Sequence, residues 1–271
     1  MFQRGVARAT LLLTIMAGMS IAPRVCKGDA LPVLSAREII EKVTLTYDAV
    51  QTIQGRFVRD SIVGDETQRV IGTFIFKKPD RVIIHNLEPR EQDVTSNGQM
   101  LWLYDKKDHL ASQLTIPPGN EAIKDQVGIG ALFAFNPFFQ MGHGYSCRRI
   151  DDFDKHIVIA CKPNSRSASI SRVLVKVNPA RWTVAAYEIF DISGGLISQT
   201  KYEDMQPIQG ASWFPFRVET KLQGNGKRFS EIVRYSRITI NGLVDDKQFE
   251  FSTPKGVRVL DKNNSINQVT K

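Results

Sequence analysis

Behind Ser35 the apolar residues recur every three to four positions: Ile39, Ile40, Val43, Tyr47 and Val50 share one side of a helical wheel. Ser35-Ala36-Arg37-Glu38 has the form of a capping box, in which a serine and a glutamate three residues on satisfy each other's backbone N–H groups. The pattern predicts an amphipathic helix from Ser35 to about Thr52 that breaks at Gly55. Beyond it the spacing becomes strand-like. Arg56–Val63, Arg69–Lys77, Val82–Leu87, Val94–Ser96 and Met100–Tyr104 are β-branched, aromatic or alternating, with turns at Gly64-Asp65, Lys78-Pro79-Asp80 and Asn97-Gly98. The same texture returns from His156 to Val259. It predicts an antiparallel meander of about 10–11 strands after one early helix, with no repeat or low-complexity linker dividing the chain.

One segment differs. Asn120 to Met141 is rich in Gly, Ala and Phe and includes Leu132, Phe133 and Phe135. It reads as one or two short apolar helices across the sheet, either plugging the core or forming a movable lid. Phe74-Ile75-Phe76, Val82-Ile83-Ile84 and Leu101-Trp102-Leu103 do not alternate with polar residues. Strands with that pattern are covered on both faces. The second face is then a barrel interior or is covered by helices. Such a barrel is either filled by side chains or left partly open for an apolar guest.

The first thirty residues alter the setting. Arg4 and Arg8 precede an apolar run from Ala9 to about Ala22, and Gly28-Asp29-Ala30 offers small residues for a signal peptidase. The run is shorter than the ~20 residues that span a bilayer. Residues 1–30 therefore read as a cleaved secretory signal peptide, and 31–271 as a single exported domain. Cys26 follows Pro23-Arg24-Val25, a poor setting for lipid attachment, so it is expected to leave with the leader. The formal net charge of +8 over 271 residues is spread rather than clustered, which argues against nucleic-acid binding.

An exported chain that keeps two cysteines, Cys147 and Cys161, invites a disulfide. Tyr145–Ile150 and His156–Cys161 flank a polar turn, and pairing symmetric about Asp154 sets the two cysteines opposite each other. The alternative is two buried free thiols. No catalytic pattern competes. His85, His109, His143 and His156 lack metal-binding spacing, Gly144-Tyr145-Ser146-Cys147-Arg148 is not a nucleophile elbow, and there is no phosphate-cradling glycine loop. Neither an enzyme, a metal site nor a cofactor is expected.

Gly72 to Tyr104 carries Gly-x-Phe-x-x-Lys-Lys-Pro, then Pro89, then Asn97-Gly98-x-x-Leu101-Trp102-x-Tyr104. Phe249 to Val259 reads Phe-x-Phe-x-x-Pro-x-Gly-Val-x-Val. In order and spacing these resemble the LolA-type periplasmic carriers of bacterial lipoproteins. Gln54-Gly55-Arg56-Phe57 sits where that family begins its first strand, and Trp182 to Ile240 looks more like the broader lipoprotein-sorting relatives. The resemblance implies an α+β, mostly β fold: an incomplete antiparallel barrel whose helices form a lid over an apolar cavity.

It further implies a monomeric shuttle that takes acylated lipoproteins from an inner-membrane release complex to an outer-membrane acceptor. Phe74, Phe76, Val82, Ile84 and Trp102 are the residues expected to face the cavity. In the family an arginine just before the proline latches the lid; here the position holds Lys78, which lacks arginine's planar fork. A periplasmic lipid-binding protein or an envelope-stress sensor on the same fold is the rival reading, and an anchored lipoprotein receptor would need a lipidated Cys26.

Overall fold

The structure, a computed structural model, describes residues 34–116, 144–153, 155–165, 169–208, 212–224 and 227–261. All of them lie in one compact unit, Leu34–Lys271. The expected leader with Cys26, and the expected lid residues Leu132, Phe133 and Phe135, fall outside the described residues.

The helix α1 is Ala36–Asp48. Its capping box is complete. The Ser35 hydroxyl accepts from the Glu38 N–H at 3.3 Å, and the Glu38 carboxylate accepts from the Ser35 N–H at 2.7 Å. The helix is shorter than the apolar spacing predicts. Thr52 already pairs with Lys77 in the sheet, and the Gln51 N–H goes to the Asn241 side chain at 2.7 Å. Long-range pairing claims the backbone groups that a fourth turn would have used. Gly55 is therefore no helix break but a strand residue. A Cβ there would lie 2.4 Å from Ile238 Cδ1, so the bare glycine leaves room for the Ile238 side chain of the neighbouring strand.

The strands are β1 Thr52–Val63, β2 Glu66–Lys77, β3 Arg81–Glu88, β4 Gln92–Ser96, β5 Met100–Asp105, β6 Leu110–Thr115 and β7 Tyr145–Phe153. They continue with β8 His156–Pro163, β9 Ile170–Asn178, β10 Thr183–Asp191, β11 Leu196–Ile208, β12 Ser212–Gly224, β13 Lys227–Ile240 and β14 Arg258–Asp261. They form one sheet in the order β14-β6-β5-β4-β3-β2-β1-β13-β12-β11-β10-β9-β8-β7. Its edges, β14 and β7, are not paired with each other, so the sheet is open. The fold is mostly β with one N-terminal helix. Two consecutive meanders meet where β1 pairs with β13.

Fourteen strands among the described residues exceed the 10–11 expected. β6 is short and half polar, and β14 pairs in parallel with β6, a contact between segments 148 residues apart at Leu110 and Arg258 that no local pattern reveals. The Asn97-Gly98 turn is also longer than a two-residue hairpin. Ser96 pairs with Leu101, and the Asn97 side chain accepts from the N–H groups of Gln99 and Met100 at 3.0 and 2.9 Å.

Register separates two faces. On the inner face, against which α1 packs, direct pairs run Val94–Ile84–Phe74, Gly72–Phe57–Tyr235, Val233–Val218–Tyr202 and Thr200–Tyr187–Val175–Ile159. Nearly all of these belong to one buried cluster with Ile39 and Val43 of α1. At Gly72 a Cβ would meet the Phe57 ring at 2.6 Å, so the missing side chain lets that ring lie across β2.

Candidate apolar binding face

The inner face between β1 and β5 is built from alternate residues of short strands. Phe74 pairs with Ile84 and Phe76 with Val82, and these four side chains share the face, joined by Val94, Leu101 and Leu103. Phe74 is fully buried. Its ring lies 6.4 Å from Phe57 and 5.7 Å, edge-on, from Tyr235. Trp102 does not join them. It pairs with Thr95, which pairs with Ile83, and this row lies on the opposite face. The expectation that Trp102 faces the same cavity as Phe74 is therefore corrected. A side chain one residue away from Leu101 or Leu103 points through the other side of the sheet.

What covers Trp102 also explains the unalternating strands. After β13 the chain makes a single 3-10 turn, Asp246–Phe249, whose Phe249 is fully buried, and Phe251 stacks on Trp102 with ring centroids 6.0 Å apart. Asp246 holds this segment by ion pairs to Lys77, at 2.5 Å, and to Arg81. The motif at Phe249–Phe251 thus packs on the outer face of β3 to β5. Apolar residues on both faces here mean one face in the inner cluster that also takes in α1, and one under the C-terminal segment.

Lys78 follows β2 and reaches the C-terminal end of α1. Its ammonium donates to the Tyr47 carbonyl at 3.0 Å and to the Asp48 carboxylate at 2.9 Å. A cation at a helix C-terminus meets orphan carbonyls and the negative end of the helix dipole. From the other side, the Asn241 side chain donates to the Ala49 carbonyl at 3.0 Å. Near its start, Arg149 donates to the Leu34 carbonyl at 3.2 Å. The helix is tied to the sheet at both ends. Lys78→Met is expected to lower stability by about 0.5–1 kcal/mol, and Lys78→Arg to retain it, as chemical denaturation would read.

Buried phenols line the middle of this face. Burial pushes the hydroxyls of Tyr47, Tyr202 and Tyr235 well above the usual phenol range, so they stay neutral. The Tyr47 hydroxyl accepts from the Val184 N–H at 3.2 Å, which docks α1 on β10. Toward the tip of the β1–β2 hairpin the same face turns polar. Arg59 Nε stands 3.9 Å from Glu231, Ser61 donates to Glu231 at 3.2 Å, and the Thr200 and Thr220 hydroxyls are 3.1 Å apart. The sequence reading missed these groups. The signal was the alternation Phe57-x-Arg59-x-Ser61, which carries polar side chains inward once Phe57 is known to be buried.

The edge of this polar end holds Asp105. Burial would raise its carboxyl, but hydrogen bonds from Gln92, Arg90 and the Asp108 backbone outweigh that and hold it at about 2. A carboxylate depressed on folding stabilises the protein above its unfolded value and loses that contribution as pH falls through the folded one. Stability is expected to drop between about pH 4 and pH 2, with a shallower slope in Asp105→Asn, as urea midpoints at each pH would show.

β7 and β8 bring Cys147 opposite Cys161, and the two form a disulfide, with Cα atoms 4.0 Å apart. A bulge between Arg149 and Asp151 carries the strand pair on to Phe153 and His156, so the strand runs into the segment read from sequence as a polar turn. Among the described residues no cluster of three or more His, Cys, Asp or Glu side chains is arranged to hold a metal. No described helix is long and apolar enough to cross a membrane.

The family model described as "Outer membrane lipoprotein carrier protein LolA" matches residues 48–202, more than half of the chain. It includes the Gly72–Tyr104 motif and stops before Phe249. An outer-membrane lipoprotein carrier protein of Alkalilimnicola ehrlichii is 33% identical over 88 residues, covering 31% of this chain and 37% of that protein. One from Ralstonia nicotianae is 36% identical over 74 residues, covering 25% of this chain and 34% of that protein. The chain thus spans about a third of the length of these relatives. A carrier of Pseudomonas aeruginosa is 22% identical over 226 residues, covering 82% of this chain and 86% of that protein. Among solved structures, a LolA superfamily protein from Nitrosomonas europaea superposes with a TM-score of 0.58 at 19% identity, covering 81% of this chain and 99% of that one. A putative outer membrane lipoprotein-sorting protein domain from Vibrio parahaemolyticus gives 0.59 at 12%, covering 79% and 95%.

Proposed function

Since the chain belongs to the LolA family of outer membrane lipoprotein carrier proteins, we propose that it binds the acyl chains of lipoproteins against its inner face and shuttles them from inner to outer membrane. The observation that carries this reading is the apolar block of Phe74, Phe76, Val82 and Ile84 on the inner face of an open sheet, part of one apolar cluster with Ile39 and Val43 of the helix. Acyl chains gain ~0.8 kcal/mol per buried CH₂, so even one chain in water is costly to a soluble shuttle. An open edge gives the chains a way in and out that a closed barrel denies.

In this reading residues 1–30 are removed near Ala30 and Cys26 goes with them, leaving an unanchored periplasmic monomer. An inner-membrane release complex loads the carrier and an outer-membrane acceptor empties it. The chemistry is binding rather than catalysis.

Expression of the full chain in a two-membrane bacterium tests this. The periplasmic protein would be purified, its N-terminus sequenced and its bound species identified by native mass spectrometry. A chain beginning at Leu31 with acylated protein attached is expected. A lipidated Cys26, or free phospholipid, a signalling peptide or nothing in place of acylated protein, would count against the carrier.

A further inference from the structure

Among the described residues, two buried side-chain polar atoms have no hydrogen-bond partner: Arg59 Nε and Asn86 Oδ1. They come from different strands, yet register puts both on the inner face at its polar end. Arg59 on β1 pairs with Val70 and Val233; Asn86 on β3 pairs with Gly72, the residue over which the Phe57 ring lies. One strand, β2, separates them and their rows cross it two residues apart, so their Cα atoms are on the order of 12 Å apart by strand geometry. Buried groups of this kind almost always find partners, and leaving them bare is costly. One is a donor and the other an acceptor, so a neutral ligand head that carries a carbonyl and, several bonds away, an N–H can satisfy the two together.

We propose that this end of the inner face is a polar head site for the acylated amino terminus of a lipoprotein. Arg59 donates to an O-acyl ester carbonyl of the glyceryl group, and Asn86 accepts the N–H of the N-acyl amide. The proposal deepens the carrier reading and rests on it. The chains then run along Phe74 and Ile84 toward Phe76 and Val82, away from the polar end. Local charge points the same way. Glu231 lies 3.9 Å from Arg59 Nε and is itself largely buried, so the guanidinium is already balanced and an anion gains little there. A free fatty acid offers a carboxylate without an N–H. A phosphatidylglycerol offers ester carbonyls without an amide. Only a head with both fits the pair.

Displacement of a dansylated fatty acid tests it with three competitors of equal chain length: a triacylated cysteine lipopeptide, its di-O-alkyl ether analogue, and phosphatidylglycerol. The wild type is expected to prefer the ester lipopeptide over the ether by roughly tenfold. Arg59→Met combined with Glu231→Gln, which leaves no lone buried charge, should bring that ratio near one without weakening the ether. Asn86→Leu should weaken the lipopeptide several-fold and leave phosphatidylglycerol unchanged. It removes an unpartnered polar atom, so it is expected to fold as the wild type does, which near-UV circular dichroism checks. An equal affinity for ester and ether in the wild type, or a preference that survives the Arg59 change, overturns the head site while the carrier stands. Phosphatidylglycerol binding as tightly as the lipopeptide overturns the role of Asn86. If no acylated competitor displaces the probe from the wild type, the carrier reading itself fails.

Discussion

Phe74→Ala is expected to lower the free energy of unfolding by about 3–5 kcal/mol, a large part of what a domain of this size has. The ring is 1% exposed and sits where β1, β2 and β13 meet. It touches Phe57 and Tyr235 at aromatic-pair distances, and each such pair adds to simple burial. Collapse around the deletion is limited. Gly55 leaves no side chain to move in, and the Ile238 methyl already fills the space a Cβ there would take. Urea unfolding should show a lower midpoint with an unchanged slope, the signature of lost stability rather than a changed denatured state. A loss below about 1 kcal/mol would mean that the contacts with Phe57 and Tyr235 contribute little to the folded state.

Removing the disulfide should cost about 3 kcal/mol, the chain-entropy value for a closed loop of this length, the cysteines being 14 residues apart. Alanine at both positions is the cleaner change, since Cys161 is fully buried in the inner-face cluster and serine there would bury a hydroxyl. For a domain of this size that corresponds to a melting temperature about 6–12 °C lower. The effect should be local first. Among the described residues β7 pairs only with β8, so its amides lose protection from hydrogen exchange before those of the central strands. The same shift should follow when reductant is added to the wild type. A double alanine variant that melts within a degree of the wild type would show that backbone pairing alone holds the edge.

Much of the architecture lies open in the order of residues, because short-range rules set it. The capping box at Ser35, the alternation in β1 to β5 and the cysteines opposed across β7 and β8 each need only a few neighbouring side chains. The pairing of Phe74 with Ile84 and Phe76 with Val82 follows from the Lys78-Pro79-Asp80 turn between their strands, since the turn fixes which residues stand opposite. Where a reading failed, a distant partner decided. α1 stops at Asp48 because Asn241 and Lys77 claim the next backbone groups. Trp102 parts from Phe74 because Phe251, nearly 150 residues later, supplies an apolar cover on the other face.

The residues by themselves thus determined one helix, a meandering sheet, two cysteines set opposite each other and a family motif. Only the tertiary structure decided which face each large side chain occupies, that the sheet stays open between β14 and β7, and that Arg59 and Asn86 end on one surface. The reason is physical. Alternation tells that neighbouring side chains point apart, but which side becomes the interior depends on what other segments are free to cover it. That is a property of the whole chain's buried area, not of any window along it.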